Sequence, residues 1–221
     1  MTIQTQSLYD VIDTLPMHSV LVIHDVSWTE YVDLLAQCTD NPRFRLSYDQ
    51  GTLQIMTTSA RHERLKALFT PLLTVLAEEG NTNLVSLGSA TFRLDEAARG
   101  LEPDDCYYIG DITRIASHDL VDLAIDQPPD LVIEIDITHP SLNKLPIYAS
   151  LQVPEIWRQT GDTLHILRLH GENYQQASHS GVFPQVSAAV LTQFVQQGVE
   201  QGIIPMVRAF RDWVRAQESL R

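Results

Sequence analysis

Apolar and polar residues alternate with period two on either side of Asp49-Gln50-Gly51, as Phe44-Arg45-Leu46-Ser47-Tyr48 before it and Thr52-Leu53-Gln54-Ile55-Met56 after it. Alternation sends successive side chains to opposite faces of a strand, so two such runs about a Gly-containing turn predict a β-hairpin. Over residues 59–79 the period becomes helical: Leu65, Leu68, Phe69, Leu72, Leu73 and Leu76 share one face, Gly80 closes the run and Pro71 predicts a kink. Residues 1–26 read as irregular until Val20-Leu21-Val22-Ile23, a short strand, and Ser27-Trp28-Thr29-Glu30 fits a capping box that opens a helix over 28–38. Strands are expected at 83–87, 91–94 and 104–109, and 111–126 reads as a loop or loose helix. Gln127-Pro128-Pro129 is a rigid lead into a strand over 131–137. Thr138-His139-Pro140-Ser141 then turns into a helix reaching about residue 151, whose first turn starts late or kinks because of Pro146. Two further strands, 155–159 and 163–169, flank Gly161-Asp162. Beyond residue 187 the apolar positions Val190, Phe194, Ile203, Val207, Phe210 and Val214 form a helical pattern broken near Gly202 and Pro205. They predict two helices packed on the core, and the alternative use of this face is a homodimer surface.

Helices and strands mixed in this order predict an α/β fold, with a mixed central β-sheet flanked by helices and C-terminal helices beyond it. With 221 residues, 44% of them apolar, and no repeat or linker, the chain reads as one domain over 1–221. The two cysteines, Cys38 and Cys106, are too few for a disulfide framework and read as small buried residues in a reducing compartment. No basic segment followed by an apolar run opens the chain, and no apolar run reaches the length of a membrane span, so a soluble cytoplasmic protein without a membrane partner is expected. The formal charge of −13 lacks the global basic footprint of a protein that grips duplex nucleic acid through its phosphates. A local basic patch from Arg61, Arg64, Lys66 and Arg93 stays open.

Candidate chemistry concentrates in residues 101–147. Asp130-Leu131-Val132-Ile133-Glu134-Ile135-Asp136 sets carboxylates inside an apolar run, where desolvation must be offset by a metal, a partner or a shifted pKa. Strand parity puts Val132, Glu134 and Asp136 on one face and Leu131, Ile133 and Ile135 on the other. Asp104, after Glu102-Pro103, opens another predicted strand; if the two strands pair, Asp104 and Glu134 converge within reach of one ion. Two carboxylates with carbonyls and waters suit a hard cation, Mg²⁺ or Mn²⁺, able to activate water and neutralise a phosphodiester. Lys144 can reach the same pocket from the next helix to stabilise developing charge. In the first turn of the long helix, Glu63 is also favoured by the helix dipole, and His62 reads as a structural or surface residue. Lys66 stands where a second zinc-binding histidine would be needed, so a zinc peptidase is rejected. Asp130 reads as a cap at the strand entry with a weaker metal role left open, and Tyr148 and Trp157 read as core.

Taken together, Tyr48-Asp49-Gln50-Gly51, His62-Glu63, Glu102-Pro103-Asp104, Pro129-Asp130-Leu131-Val132-Ile133-Glu134, Lys144, Tyr148 and Val153-Pro154-Glu155-Ile156-Trp157 resemble the Uma-two family of restriction-endonuclease-like proteins, within the PD-(D/E)XK nuclease-like superfamily. The resemblance covers roughly residues 43–168 and implies a restriction-endonuclease-like core. It implies Asp104 and Glu134 as metal-binding carboxylates, Glu63 as the acidic residue of the first core helix and Lys144 as a lysine migrated from strand to helix. Asp136 departs from the pattern by standing where the superfamily places its lysine, and is read either as an extra metal ligand or as a sign that metal and substrate preferences differ. The function implied is Mg²⁺- or Mn²⁺-dependent hydrolysis of DNA phosphodiesters by an endonuclease. The alternatives are a non-catalytic binding or assembly protein on the same fold, and a hydrolase of a smaller phosphoester.

Overall fold

A computed structural model describes residues 8–38, 41, 43–115, 126–137 and 142–218. Eleven described strands form two sheets. The first is antiparallel, of order β1-β3-β2-β6-β5, built from β1 (Val20–Ile23), β2 (Phe44–Asp49), β3 (Thr52–Thr57), β5 (Phe92–Leu94) and β6 (Arg99–Leu101). The second has order β11-β10-β9-β8-β7-β4, with β4 (Leu84–Ser86), β7 (Asp105–Ile109), β8 (Leu131–Asp136), β9 (Glu155–Thr160), β10 (Thr163–His170) and β11 (Asn173–Ala177). It is mixed, because β8 and β9 run parallel while its other pairs are antiparallel. A mixed α/β fold with C-terminal helices is therefore present; the second sheet goes beyond what the sequence indicated.

The capping box forms as read. The Ser27 amide and hydroxyl donate to Glu30 Oε2 at 2.8 and 2.7 Å, the Glu30 amide donates back at 3.2 Å, and α2 (Trp28–Cys38) follows. Residues 8–26, the described part of this segment, are less irregular than expected. Helix α1 (Leu8–Asp13) buries Ile12 among Tyr31 and Leu34, a contact too short in sequence to show a period.

The helix predicted over 59–79 is two helices, α3 (Ala60–Lys66) and α4 (Phe69–Glu79). Pro71 acts one turn upstream of itself: it cannot donate to the carbonyl of Ala67, and its ring crowds that carbonyl, so the chain breaks at Ala67 and Leu68. Breaking there lets α4 lie on the sheet with α6 (Ala188–Gln201) and α7 (Ile203–Glu218), burying Leu72, Leu76, Leu131, Ile133, Phe194 and Phe210 in one core. Gly202, at φ 90°, turns α6 into α7. Helix α5 (Leu145–Ser150) starts late, with Pro146 in its first turn where a missing N–H is harmless. The predicted turn 138–141 lies outside the described residues, as does most of the 111–126 loop; its described part holds a single 3₁₀ turn, Ile112–Arg114. Cys38 and Cys106 are both buried and free.

Strand β6 was not expected, because three residues containing a glycine give no alternation. The glycine has a packing reason: a Cβ at Gly100 would lie 2.5 Å from the Tyr31 hydroxyl and 3.0 Å from its ring. Tyr31 is fully buried and stacked on Tyr48 at 4.8 Å, so it has no room to yield. Gly100→Ala is expected to destabilise the protein by about 1–3 kcal/mol through overpacking. Urea denaturation checks this, and an unchanged midpoint would refute the packing argument.

Candidate active site

The strands place the carboxylates. β7 and β8 pair antiparallel with Asp105 opposite Ile133, and that register continued by one residue sets Asp104 opposite Glu134. Asp104 is fully buried, and its Oδ2 accepts the Ile135 amide at 2.7 Å, which locks the carboxylate beside β8. Leu131, Ile133 and Ile135 join the α4, α6 and α7 core, whereas Val132 packs on the other face with Ile147 and Tyr148. Glu134 lies on that second face.

Lysine reaches it from α5. Lys144 Nζ donates to both oxygens of Glu134, at 3.2 and 2.9 Å, and the Tyr148 hydroxyl donates to Oε1. Residues four apart share a helix face, so Lys144 and Tyr148 grip one carboxylate together. Just upstream, the Leu142 amide donates to Gln54 Oε1 at 2.8 Å, tying the β2–β3 hairpin to the start of this helix.

His62 comes from α3. Ser59 caps this helix, accepting the His62 amide at 3.1 Å, and the imidazole is buried with Nε2 3.0 Å from Asp104 Oδ1 and Nδ1 3.2 Å from Glu63 Oε1. The His62–Asp104 contact has ion-pair distance but is out of line for a hydrogen bond, leaving Nε2 and Oδ1 buried without an aligned partner. Glu63 is exposed and contacts the cluster only through His62.

Electrostatics follow from three carboxylates, Asp104, Glu134 and Asp136, around one lysine. Burial, with Asp104 and Asp136 adding to it and Lys144 opposing it, pushes Glu134 up to about 7. Burial also acts on Asp104, but His62, Lys144 and the Ile135 amide hold it below the usual carboxylate range. Burial works against the cationic form of Lys144, yet Glu134, Asp104 and Asp136 keep it above its ordinary value. His62 is likewise raised despite burial, by Asp104 and Glu63 on its two sides. Burial and the charge of Glu134 raise Tyr148 far above a free phenol.

The other acidic residues near the site have structural partners. Glu102 accepts from the Leu46 amide at 2.9 Å and the Thr91 hydroxyl at 3.1 Å, and Asp105 accepts from Ser86, Cys106 and Tyr107. Asp130 accepts the Ile109 amide at 2.8 Å, which fits the capping reading. Asp136, partly buried, pairs with Arg158 on β9.

Two clefts open on this cluster and meet at Asp136 and Lys144. One is lined by Gln54, Thr57, Ser59 and His62, and the other by Glu134, Asn143, Tyr148 and Arg158. Among the described residues no three His, Cys, Asp or Glu side chains converge so as to hold a metal ion. A hard cation needs less: one or two carboxylates, with water completing its shell. Asp104 and Glu134 supply two such carboxylates, and Asp104 Oδ1, with His62 3.0 Å away but no aligned donor, is a buried anionic oxygen suited to a cation.

Of the residues proposed from sequence, Asp104, Glu134, Lys144 and Asp136 are thus brought together, while Glu63 stands at the rim. His62 and Tyr148, read as structural, touch the carboxylates directly. The adjacency of His62 to Glu63 and the four-residue spacing of Tyr148 from Lys144 were the available signals.

The profile of the Uma2 family, described as "Putative restriction endonuclease", matches residues 28–203. No curated protein matches the chain in sequence. A similar solved structure is the crystal structure of a "putative nuclease belonging to DUF820" from Anabaena variabilis ATCC 29413, at 12% identity and a TM-score of 0.46, covering 77% of this chain and 99% of that one. Among the described residues no helix is long and apolar enough to cross a membrane.

Proposed function

We propose that this chain, which belongs to the Uma2 family, is an endonuclease that hydrolyses DNA phosphodiester bonds with Mg²⁺ or Mn²⁺ held by Asp104 and Glu134. The observation that carries the reading is the buried Asp104 Oδ1 without an aligned donor, set opposite a Glu134 gripped by Lys144. A divalent cation bound there supplies Lewis acidity toward a phosphoryl oxygen and lowers the pKa of water.

The chain's own groups act around it. Lys144 spends two donors on Glu134, and an ammonium has three, so one remains to orient water or meet a phosphoryl oxygen. Tyr148 fixes the Glu134 rotamer, and the Ile135 amide fixes Asp104. His62 is a positioning residue for Asp104, and Glu63 acts through His62 alone.

Two results are expected from this division of labour. Lys144→Met lowers cleavage about 100- to 1,000-fold, the scale of losing one charge-stabilising donor, while the variant still binds DNA. Glu63→Gln lowers it less than about 10-fold, because Glu63 touches neither carboxylate, whereas His62→Ala, which frees Asp104, falls about 10- to 100-fold as losses of supporting groups do. Steady-state cleavage rates decide both, and a Glu63 effect as large as that of His62 would contradict the arrangement.

Cleavage of single-stranded, duplex and branched DNA, with bis(p-nitrophenyl) phosphate as a small phosphodiester, tests the reading. Metal-dependent cutting of DNA supports it, and turnover of the small ester alone favours a smaller substrate. A non-catalytic binding or assembly role has one observation in its favour: Lys144 and Tyr148 already satisfy Glu134 without a cation. Failure of every substrate, together with no cation binding, would decide for that role.

A further inference from the structure

We propose that Arg158 is the phosphate-binding residue of this site and that Asp136 holds it in place. The proposal rests on the nuclease reading for the identity of its ligand, a nucleic-acid phosphodiester. β8 and β9 run parallel with Glu134 beside Arg158, and paired residues of neighbouring strands face the same way. Arg158 accordingly lines the cleft that holds Glu134, Lys144 and Tyr148, and it is the one guanidinium among the described residues lining either cleft.

Its side chain is 31% exposed against 12% for Asp136, so the pair runs from the protein interior to the cleft. Asp136 takes the Nε hydrogen, and among the described residues the terminal nitrogens have no bonded partner. A guanidinium is a planar fork of five donors that matches a phosphate bidentately. Lys144 gives two of its three donors to Glu134, so within a chain of net charge −13 Arg158, with its terminal nitrogens open, offers a phosphodiester entering this cleft the larger set of donors.

The departure at Asp136 then has a physical account. Where the superfamily pattern places a lysine, this chain has an acid, and the positive charge stands one strand away on Arg158, oriented by that acid. Asp136 is engaged by Arg158 and becomes a positioning residue, leaving the cation to Asp104 and Glu134.

Binding of fluorescent single-stranded and duplex oligonucleotides to the full chain in Ca²⁺, over a salt series, tests this. Arg158→Gln is expected to weaken binding about 10-fold and to reduce the slope of log affinity against log salt by about one phosphate contact. Arg158→Lys, which keeps the charge without the fork, recovers the slope but not the full affinity. Asp136→Asn/Arg158→Gln, which leaves no carboxylate unpaired, behaves like Arg158→Gln and controls for folding, and Arg158→Lys, which keeps every charge of the cluster, keeps the wild-type Mn²⁺ affinity. Wild-type affinity and slope in Arg158→Gln would overturn the proposal, as would failure of the wild type to bind any oligonucleotide. An Arg158-dependent slope in a chain that cuts no DNA would uphold it while sinking the nuclease reading.

Discussion

Glu134→Gln is expected to lower metal-dependent DNA cleavage at least about 1,000-fold. Glutamine keeps the shape of the side chain and an oxygen that can accept from Tyr148, so the change removes the charge while preserving the contact. The substitution removes one of two carboxylates opposed across β7 and β8. It also strips Lys144 of its closest anion, leaving Asp104 and Asp136 to support the buried ammonium. Cleavage rates measured beside a thermal melt separate chemistry from stability. A variant that melts like the wild type and cuts at least one-tenth as fast would contradict the assignment of Glu134.

Glu155→Ala is expected to cost about 3 kcal/mol or more of stability, because a buried carboxylate with three donors would leave all three unsatisfied. Glu155 is 2% exposed and accepts from Trp157 Nε1 at 2.7 Å, Ser180 Oγ at 2.5 Å and the Gly181 amide at 2.6 Å. Ser180 Oγ in turn accepts the Val182 and Phe183 amides, so one acid seats the segment that brings Phe183 and Val186 into the core. On the usual scale for a chain of this size, the loss corresponds to roughly 6–12 °C in melting temperature. Calorimetric melting measures it, and a shift under about 2 °C would show that the segment is held some other way. The Val153-Pro154-Glu155-Ile156-Trp157 motif is thereby explained by packing rather than by chemistry.

Much of the frame around the site was legible because it obeys local periods. The hairpin of β2 and β3 alternates cleanly, the Ser27–Glu30 box marks a helix start, and parity separates Glu134 and Val132 from the Ile133 core face. What escaped depends on partners distant in sequence. β6 is a strand because β2 and β5 flank it, with Gly100 chosen by Tyr31. β11, with the polar sequence Asn-Tyr-Gln-Gln-Ala, shows no apolar alternation and is ordered by its ladder to β10, with Tyr174 and Ala177 packed against the cores. The proline of α4 was noticed, but its effect falls four residues upstream, where its missing donor and its ring are felt.

Within the site the division is similar. Asp104 and Glu134 stood out because charge in or beside an apolar strand is costly. His62, Tyr148 and Arg158 did not, because each has an ordinary structural explanation until the fold sets it against a carboxylate. Asp136 shows the limit of counting along one strand, since its partner is on the neighbouring strand.

Calorimetric titration of the wild type, Asp104→Asn and Glu134→Gln with Mn²⁺ reaches the central claim most directly, because it reads the cation site without assuming a substrate. Saturable binding by the wild type is predicted, weakened about 100-fold or more in each variant, since loss of even a supporting group costs 10- to 100-fold. A wild type that binds no Mn²⁺, or variants that bind it as tightly as the wild type, would contradict the account.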